Sequence, residues 1–293
     1  MSKLRVRPAA FALAAGVAAA IVATCAPAQE SLRMTIAAQP GQAGRLTVST
    51  DIGVLIFAGG DPLVYEMHVE ATQAVEAREV ADDGTVTWSS RVVRLLSERD
   101  GKPVMRFDAD DETVSDPNAA ALAEVEVVMQ QQPDGRIRDF EVHGSRPEVR
   151  ERIEEALERS IENSVLMFSK DPVAIGQTWK VGKRTMPFPG VGRVEYDLVA
   201  TLMAIDRRDD GAQAKLRLDS ADARFVPDAD SKLAGKLSSL RLQGQAIYDI
   251  DGSFLRWQES YAFLSVLAPN PEGGMLTLQA YMRIGMQEDR DEE

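Results

Sequence analysis

Five Asp-Gly pairs, at Asp83-Gly84, Asp100-Gly101, Asp134-Gly135, Asp210-Gly211 and Asp251-Gly252, constrain this chain more than any other feature. Glycine accepts a positive φ at no steric cost, so Asp-Gly between apolar runs is a strong signal for a tight turn between antiparallel strands. The runs between them alternate. Tyr65, Met67, Val69 and Ala71 interleave with Glu66, His68, Glu70 and Thr72, and Val194, Tyr196, Leu198, Ala200, Leu202 and Ala204 interleave with polar residues in the same way. A period of two puts each set on one face of a half-buried strand. The last such run, Met275 to Met286, carries Leu276, Leu278, Ala280, Met282 and Ile284 on one side.

The first 28 residues have another composition. Lys3, Arg5 and Arg7 precede the apolar run Ala9 to Thr24, and Ala26-Pro27-Ala28 offers small residues where a signal peptidase reads them. This is the pattern of a secretory signal cleaved after Ala28. The apolar run is short for a membrane span, which needs about 20 residues. A lipoprotein is the alternative, with Cys25 lipidated after Val22-Ala23-Thr24. Cleavage after Ala28 removes this cysteine, so disulfides play no part in the mature chain. Without Lys3, Arg5 and Arg7 the 33 basic residues become 30 against 46 acidic ones, a mature charge of −16. Such acidity excludes nucleic acid as a natural partner and favours a solvated, soluble surface.

From Ser145 the period changes. Ser145 followed by Pro147 and Glu148 forms a helix start with a capping box. Val149, Ile153, Ala156, Leu157, Ile161, Val165 and Phe168 then fall three or four apart, opposite Glu151, Glu154, Glu155, Glu158 and Glu162. The spacing predicts an amphipathic helix over 145–170 with a buried face and its glutamates in water. The segments on either side match each other loosely. Tyr65 through Gly84 pairs with Tyr196 through Gly211, and the hairpin around Asp134-Gly135 with that around Asp251-Gly252. The expected fold is therefore α+β and predominantly antiparallel, two related β-meanders of half-barrel or barrel-like form joined by a central amphipathic helix. The expected segments are a linker or ragged strand at 29–45, meanders at 46–144 and 171–287, and a charged tail at 288–293.

After the helix comes Pro172-Val173-Ala174-Ile175-Gly176-Gln177-Thr178-Trp179. This run is similar to a Pro-Val-x-Val-Gly-Asp-x-Trp motif found in an uncharacterised family of exported bacterial β-rich proteins, with Ile175 and Gln177 departing from the usual residues. The resemblance implies an exported β-rich protein and supplies no activity or catalytic residues.

Chemistry is scarce. The only histidines, His68 and His143, belong to no metal-binding spacing, and nucleophile elbows, phosphate loops and dinucleotide fingerprints are all missing from the sequence. The acidic run Asp108 to Glu112 lacks the glycine and distal glutamate of a calcium loop. No cofactor is expected and no metal site. Trp88, Trp179 and Trp257 fit sheet packing. A curved sheet with an apolar inner face commonly encloses an apolar ligand site, which leads to an exported, non-enzymatic envelope protein binding an apolar small molecule, a lipid or an envelope partner. Tyr65, Met67, Tyr196, Leu198 and Met282 are the candidate lining residues. An envelope hydrolase whose carboxylates meet only in the fold is the alternative.

Overall fold

A computed structural model describes residues 30–57, 61–109, 113–114, 121–144, 146–164, 166–188, 192–209, 211–227, 236–270 and 273–290. The predicted signal sequence with Cys25, the last residues of the acidic run at 110–112, and Ser145 lie outside these residues. The strands are β1 (Ser31–Leu32), β2 (Ala43–Phe57), β3 (Leu63–Val80), β4 (Val86–Arg99), β5 (Lys102–Asp108), β6 (Thr113–Val114), β7 (Glu126–Gln131), β8 (Ile137–His143), β9 (Val173–Ala174), β10 (Thr178–Phe188), β11 (Gly192–Arg208), β12 (Gly211–Pro227), β13 (Lys236–Asp249), β14 (Phe254–Pro269) and β15 (Met275–Arg290). Among the described residues, a helical turn at 121–123 and the helix α1 (Pro147–Ser164) interrupt them.

Thirteen strands form a single antiparallel sheet in the order β10-β11-β12-β13-β14-β15-β2-β3-β4-β5-β6, with β7 pairing β4 and β8. The join that unifies it is β15 against β2, in register from Arg290–Gly44 to Thr277–Phe57. The first and last long strands thus meet in the middle of the sheet. Among the described residues the regular structure is nearly all antiparallel strand, which overturns the α+β expectation. There are no two meanders hinged on a helix. The alternation was a sound guide to each strand, but the β15–β2 pairing links residues more than 200 positions apart and leaves no local trace.

Helix α1 also differs from its predicted role as a buried connector. It packs beside β8 and β10, yet Val149, Ile153 and Leu157 on its apolar stripe are only half-buried. Phe168, predicted to extend that stripe, lies beyond the helix in an extended segment and is buried against Tyr248, ring centroids 5.2 Å apart at 72°. The core therefore takes Leu166 and Phe168 from the segment that follows α1. Ile153→Ser should consequently cost under about 1 kcal/mol, the scale of a partly exposed site, where a buried helix face would lose several. Chemical denaturation of the variant checks this, and a loss above about 3 kcal/mol would restore the buried-face reading.

The core lies against one face of the sheet. Val194, Leu198, Leu202, Leu216 and Leu218 from β11 and β12 join Ala246, Tyr248, Leu264 and Val266 from β13 and β14 in one buried cluster. β12 pairs with β13 only as far as Asp219–Gln243, and beyond that rung the two strands separate. β12 bends there: Asp222 takes φ 50 beside a register shift between Glu195 and Asp197 on β11, as a bulge requires. The segment before β2 is part of the core. β1 pairs with β9, Met34 and Ile36 are buried, and the Ile36 N–H donates to the Pro133 carbonyl at 2.7 Å.

The Pro172–Trp179 run acts as a turn. Gly176 takes φ 85 and donates to the Leu202 carbonyl, while the Gln177 amide oxygen accepts from the Ala174 N–H at 3.0 Å. Val173 is buried, and the Trp179 indole donates to the Met167 carbonyl at 3.1 Å.

Candidate functional site

The inward face of the sheet is covered unevenly, and its uncovered flank is the candidate site. Inter-strand register aligns inward residues in rows. Met67 on β3 is paired with Ile52, Ile52 with Met282, Met282 with Ala262 and Ala262 with Leu242. The neighbouring row runs Tyr65, Val54, Ala280, Leu264, Leu240. Along that row exposure rises from 1% at Leu264 to 7% at Ala280, and Val54 and Tyr65 are only half-buried. The next row ends at Leu63, 70% exposed. The strands β10 to β12 cover the β13–β14 side, and the apolar lining continues past that cover onto β2 and β3 as an open shelf.

Three of the predicted residues belong to this shelf. Met67 and Met282 share a row through Ile52, and Tyr65 stands one row away with its hydroxyl 3.6 Å from the Met67 sulfur. The Arg99 guanidinium lies 5.4 Å from the Tyr65 ring centre, a cation–π contact at the outer end of the shelf. Tyr196 and Leu198 take another place. Leu198 is buried inside the covered part, and Tyr196 packs at its margin. Burial pushes the Tyr196 phenol above its usual range, against a downward pull from Arg184 opposite it on β10. The phenol stays protonated at neutral pH. Arg184 itself is buried, with Nη1 donating to the Lys183 carbonyl at 3.3 Å. The sequence reasoning missed it, although its parity on β10 with Met186 marks it as inward.

Among the described residues the carboxylates show no convergent acid–base pair. Asp83 is held low first by the Thr85 backbone N–H, Glu195 by hydrogen bonds from Arg224 and then Arg193, and Asp206 by Lys215. A general acid at neutral pH needs its carboxyl raised, the opposite displacement. His68 is paired with Asp51, Nδ1 to Oδ1 at 2.6 Å, and His143 lies 3.4 Å from Glu141. Among the described residues no three His, Cys, Asp or Glu side chains gather closely enough to hold a metal ion. A polar cleft of about 430 Å³ lies at the opposite end of the sheet between Glu79, Asp83, Thr87 and Arg138. A smaller, mostly apolar cleft of about 240 Å³ lies by Arg241, Tyr261, Phe263, Tyr281 and Met282. No described helix is long and apolar enough to cross a membrane.

No family model matches this chain, and no curated protein matches it. Among solved structures it is similar to DynF from the dynemicin biosynthesis pathway of Micromonospora chersina, at 5% identity over 89% of this chain and 86% of that one, with a TM-score of 0.22. A DUF1329 family protein from Desulfovibrio piger matches at 10% identity over 84% and 85%, TM-score 0.17. An outer membrane channel from Pseudomonas putida matches at 10% over 85% and 97%, TM-score 0.19. Similarity at this level leaves function to be argued from the chain's own residues.

Proposed function

We propose that this is an exported envelope protein, without catalytic machinery, that holds an apolar small molecule or the acyl part of a lipid against the shelf of β2, β3 and β15. Export rests on the Lys3-to-Ala28 pattern, and kinship with exported β-rich proteins on the Pro172–Trp179 run. The observation that carries the binding reading is the burial gradient along the rows from Leu264 to Tyr65 and from Val266 to Leu63. An apolar lining that continues beyond its cover leaves surface whose removal from water stabilises a complex by about 25 cal/mol per Å². Two methionines there add adaptability, since the unbranched thioether side chain fits irregular partners.

Protein purified from its native envelope should therefore carry a copurifying apolar molecule in native mass spectrometry. The delipidated protein should enhance the fluorescence of N-phenyl-1-naphthylamine, with long-chain fatty acid or phospholipid displacing it. Met67→Lys combined with Met282→Lys should weaken the probe by about tenfold or more, because two charges then enter the apolar lining. Glu70→Gln, on the outward face, should leave it unchanged. A protein that copurifies with nothing and leaves the probe dark refutes the binding reading.

A further inference from the structure

The outward face of the same strands carries a second apolar surface. At its hairpin end Val64 is 56% and Met275 61% exposed, and Phe57 and Leu267 flank Thr277 in one row. The next row places Leu55 between Val64 and Gln279. In the third, Phe263 and Tyr281 stand side by side between Arg241 and Glu66, and the Tyr281 ring covers Gly53 so closely that a Cβ there would overlap it. The glycine lets the ring lie flat on the sheet. Charges thus enter at the ends of the third row and dominate the fourth, where Tyr261 is joined by Arg283, Asp51 and His68. From Phe57 to Gly53 the band spans four residue steps of β2, about 13 Å at about 3.3 Å per residue. Lys236 beside Leu267 and Asp61 at the β2–β3 turn mark its margins.

We infer that this band seats the protein on one leaflet of a zwitterionic lipid bilayer. Three observations select a lipid surface over a protein partner. The tyrosines stand where the apolar band gives way to the charged row, the level at which amphipathic rings settle at a membrane interface. The charges beyond them are already paired with one another. Arg283 bonds Glu259 at 2.6 Å and lies 3.6 Å from Asp51, which holds His68. They leave little for a partner's charges to read, whereas a leaflet asks only for apolar area and interfacial rings. Finally, Leu63 on the inward shelf and Val64 on the outward band are consecutive residues of one strand, so the band adjoins the open flank. The acid excess of the chain selects neutral over anionic lipid. The inference stands on the outward face and does not depend on what the shelf holds.

Flotation of the full mature chain with phosphatidylethanolamine–phosphatidylcholine vesicles tests it. The parent should float, and the Val64→Ser, Phe263→Ser, Met275→Ser triple variant should lose about tenfold or more in partitioning. These three positions are exposed, so the variant should keep the parent's melting curve. In a second arm, a Val64→Trp reporter should shift its emission to the blue on mixing with vesicles and be quenched by brominated acyl chains. A parent that stays with the pellet, or a reporter that vesicles leave unshifted, overturns the inference. So does a dimer seen by light scattering that the triple variant dissociates, because the band would then join two copies of this chain. Binding of the naphthylamine probe without vesicles should survive in the triple variant, which separates failure of the band from failure of the shelf.

Discussion

Tyr248→Ala should destabilise the protein by about 3–5 kcal/mol, the range for truncating a large buried aromatic side chain, and Tyr248→Phe by about 1–3 kcal/mol, the cost of leaving buried polar groups unpaired. Tyr248 is among the largest fully buried side chains. Its ring packs on Phe168, and its hydroxyl both donates to the Thr35 carbonyl at 2.7 Å and accepts from the Thr35 N–H at 3.0 Å. One phenol thus satisfies both backbone groups of a residue that belongs to no strand. Beside it Ile36 donates to Pro133 and Ala37 to the Ser253 carbonyl at 2.9 Å. The phenylalanine variant keeps the ring contact and removes only the hydroxyl. Its loss should appear in urea denaturation and, locally, as faster amide exchange at Ile36 and Ala37. A variant with the parent's denaturation midpoint and unchanged exchange would show that the segment before β2 is held by Met34 and Ile36 alone.

That segment marks where the sequence stops being legible. Gln29 to Gln42 is small and polar in composition, yet Met34, Ile36 and Ala38 keep a period of two, and Met34 and Ile36 are buried while Ala38 packs against the core. The signal was present but too short to outweigh Pro40 and Gly41. Strands and turns were readable because they are local: the Asp-Gly pairs at 100–101, 134–135 and 251–252 all sit between paired strands. Met67 and Met282 were predicted to line the same surface from alternation alone, and register places them on one row. Tyr196 and Leu198 have the same parity but lie under cover. Parity reports which face a residue occupies and says nothing about what stands above it. Cover depends on how the sheet curls, and the curl depends on where β12 leaves β13 and on β15 meeting β2. Helix α1 failed for the same reason. Its stripe is amphipathic, but a stripe is buried only as far as another surface reaches it: Val149, Ile153 and Leu157 stay half-buried, while Leu166 and Phe168 beyond the helix join the core.

The two faces of β2, β3, β14 and β15 then fit one physical account. Inward, apolar side chains run out beyond their cover; outward, at the same hairpin end, apolar side chains run out toward a boundary of tyrosines and paired charges. A chain that exposes Leu63, Val64 and Met275 at one edge carries a cost in water unless something apolar meets that edge. The acid excess over the rest of the surface offsets this by keeping copies apart.

Gly135→Ala should cost about 2–4 kcal/mol, well above the same change at Gly101, which should cost about 1–2 kcal/mol. Both glycines end Asp-Gly pairs and both have positive φ, 86 and 70 respectively. Both substitutions therefore carry the penalty of a left-handed backbone. They differ in surroundings. A Cβ at Gly101 meets nothing within 4 Å, whereas one at Gly135 falls 2.6 Å from the Leu166 carbonyl oxygen, a backbone atom that cannot rotate aside. The turn carrying Gly135 is also where the extended segment after α1 is fastened, since the Phe168 N–H donates to the Asp134 carbonyl at 2.9 Å. Moving Leu166 disturbs Phe168 and, through its ring, Tyr248. The Gly135→Ala and Tyr248→Phe changes should consequently be non-additive by about 0.5 kcal/mol or more, as expected of residues that share a partner. Urea denaturation of the two glycine variants, of Tyr248→Phe and of the Gly135→Ala/Tyr248→Phe double variant measures both quantities. Equal losses at Gly135 and Gly101 would mean that the segment 166–168 yields freely, and strict additivity with Tyr248→Phe would mean that the β7–β8 turn and the segment before β2 are fastened to the core independently.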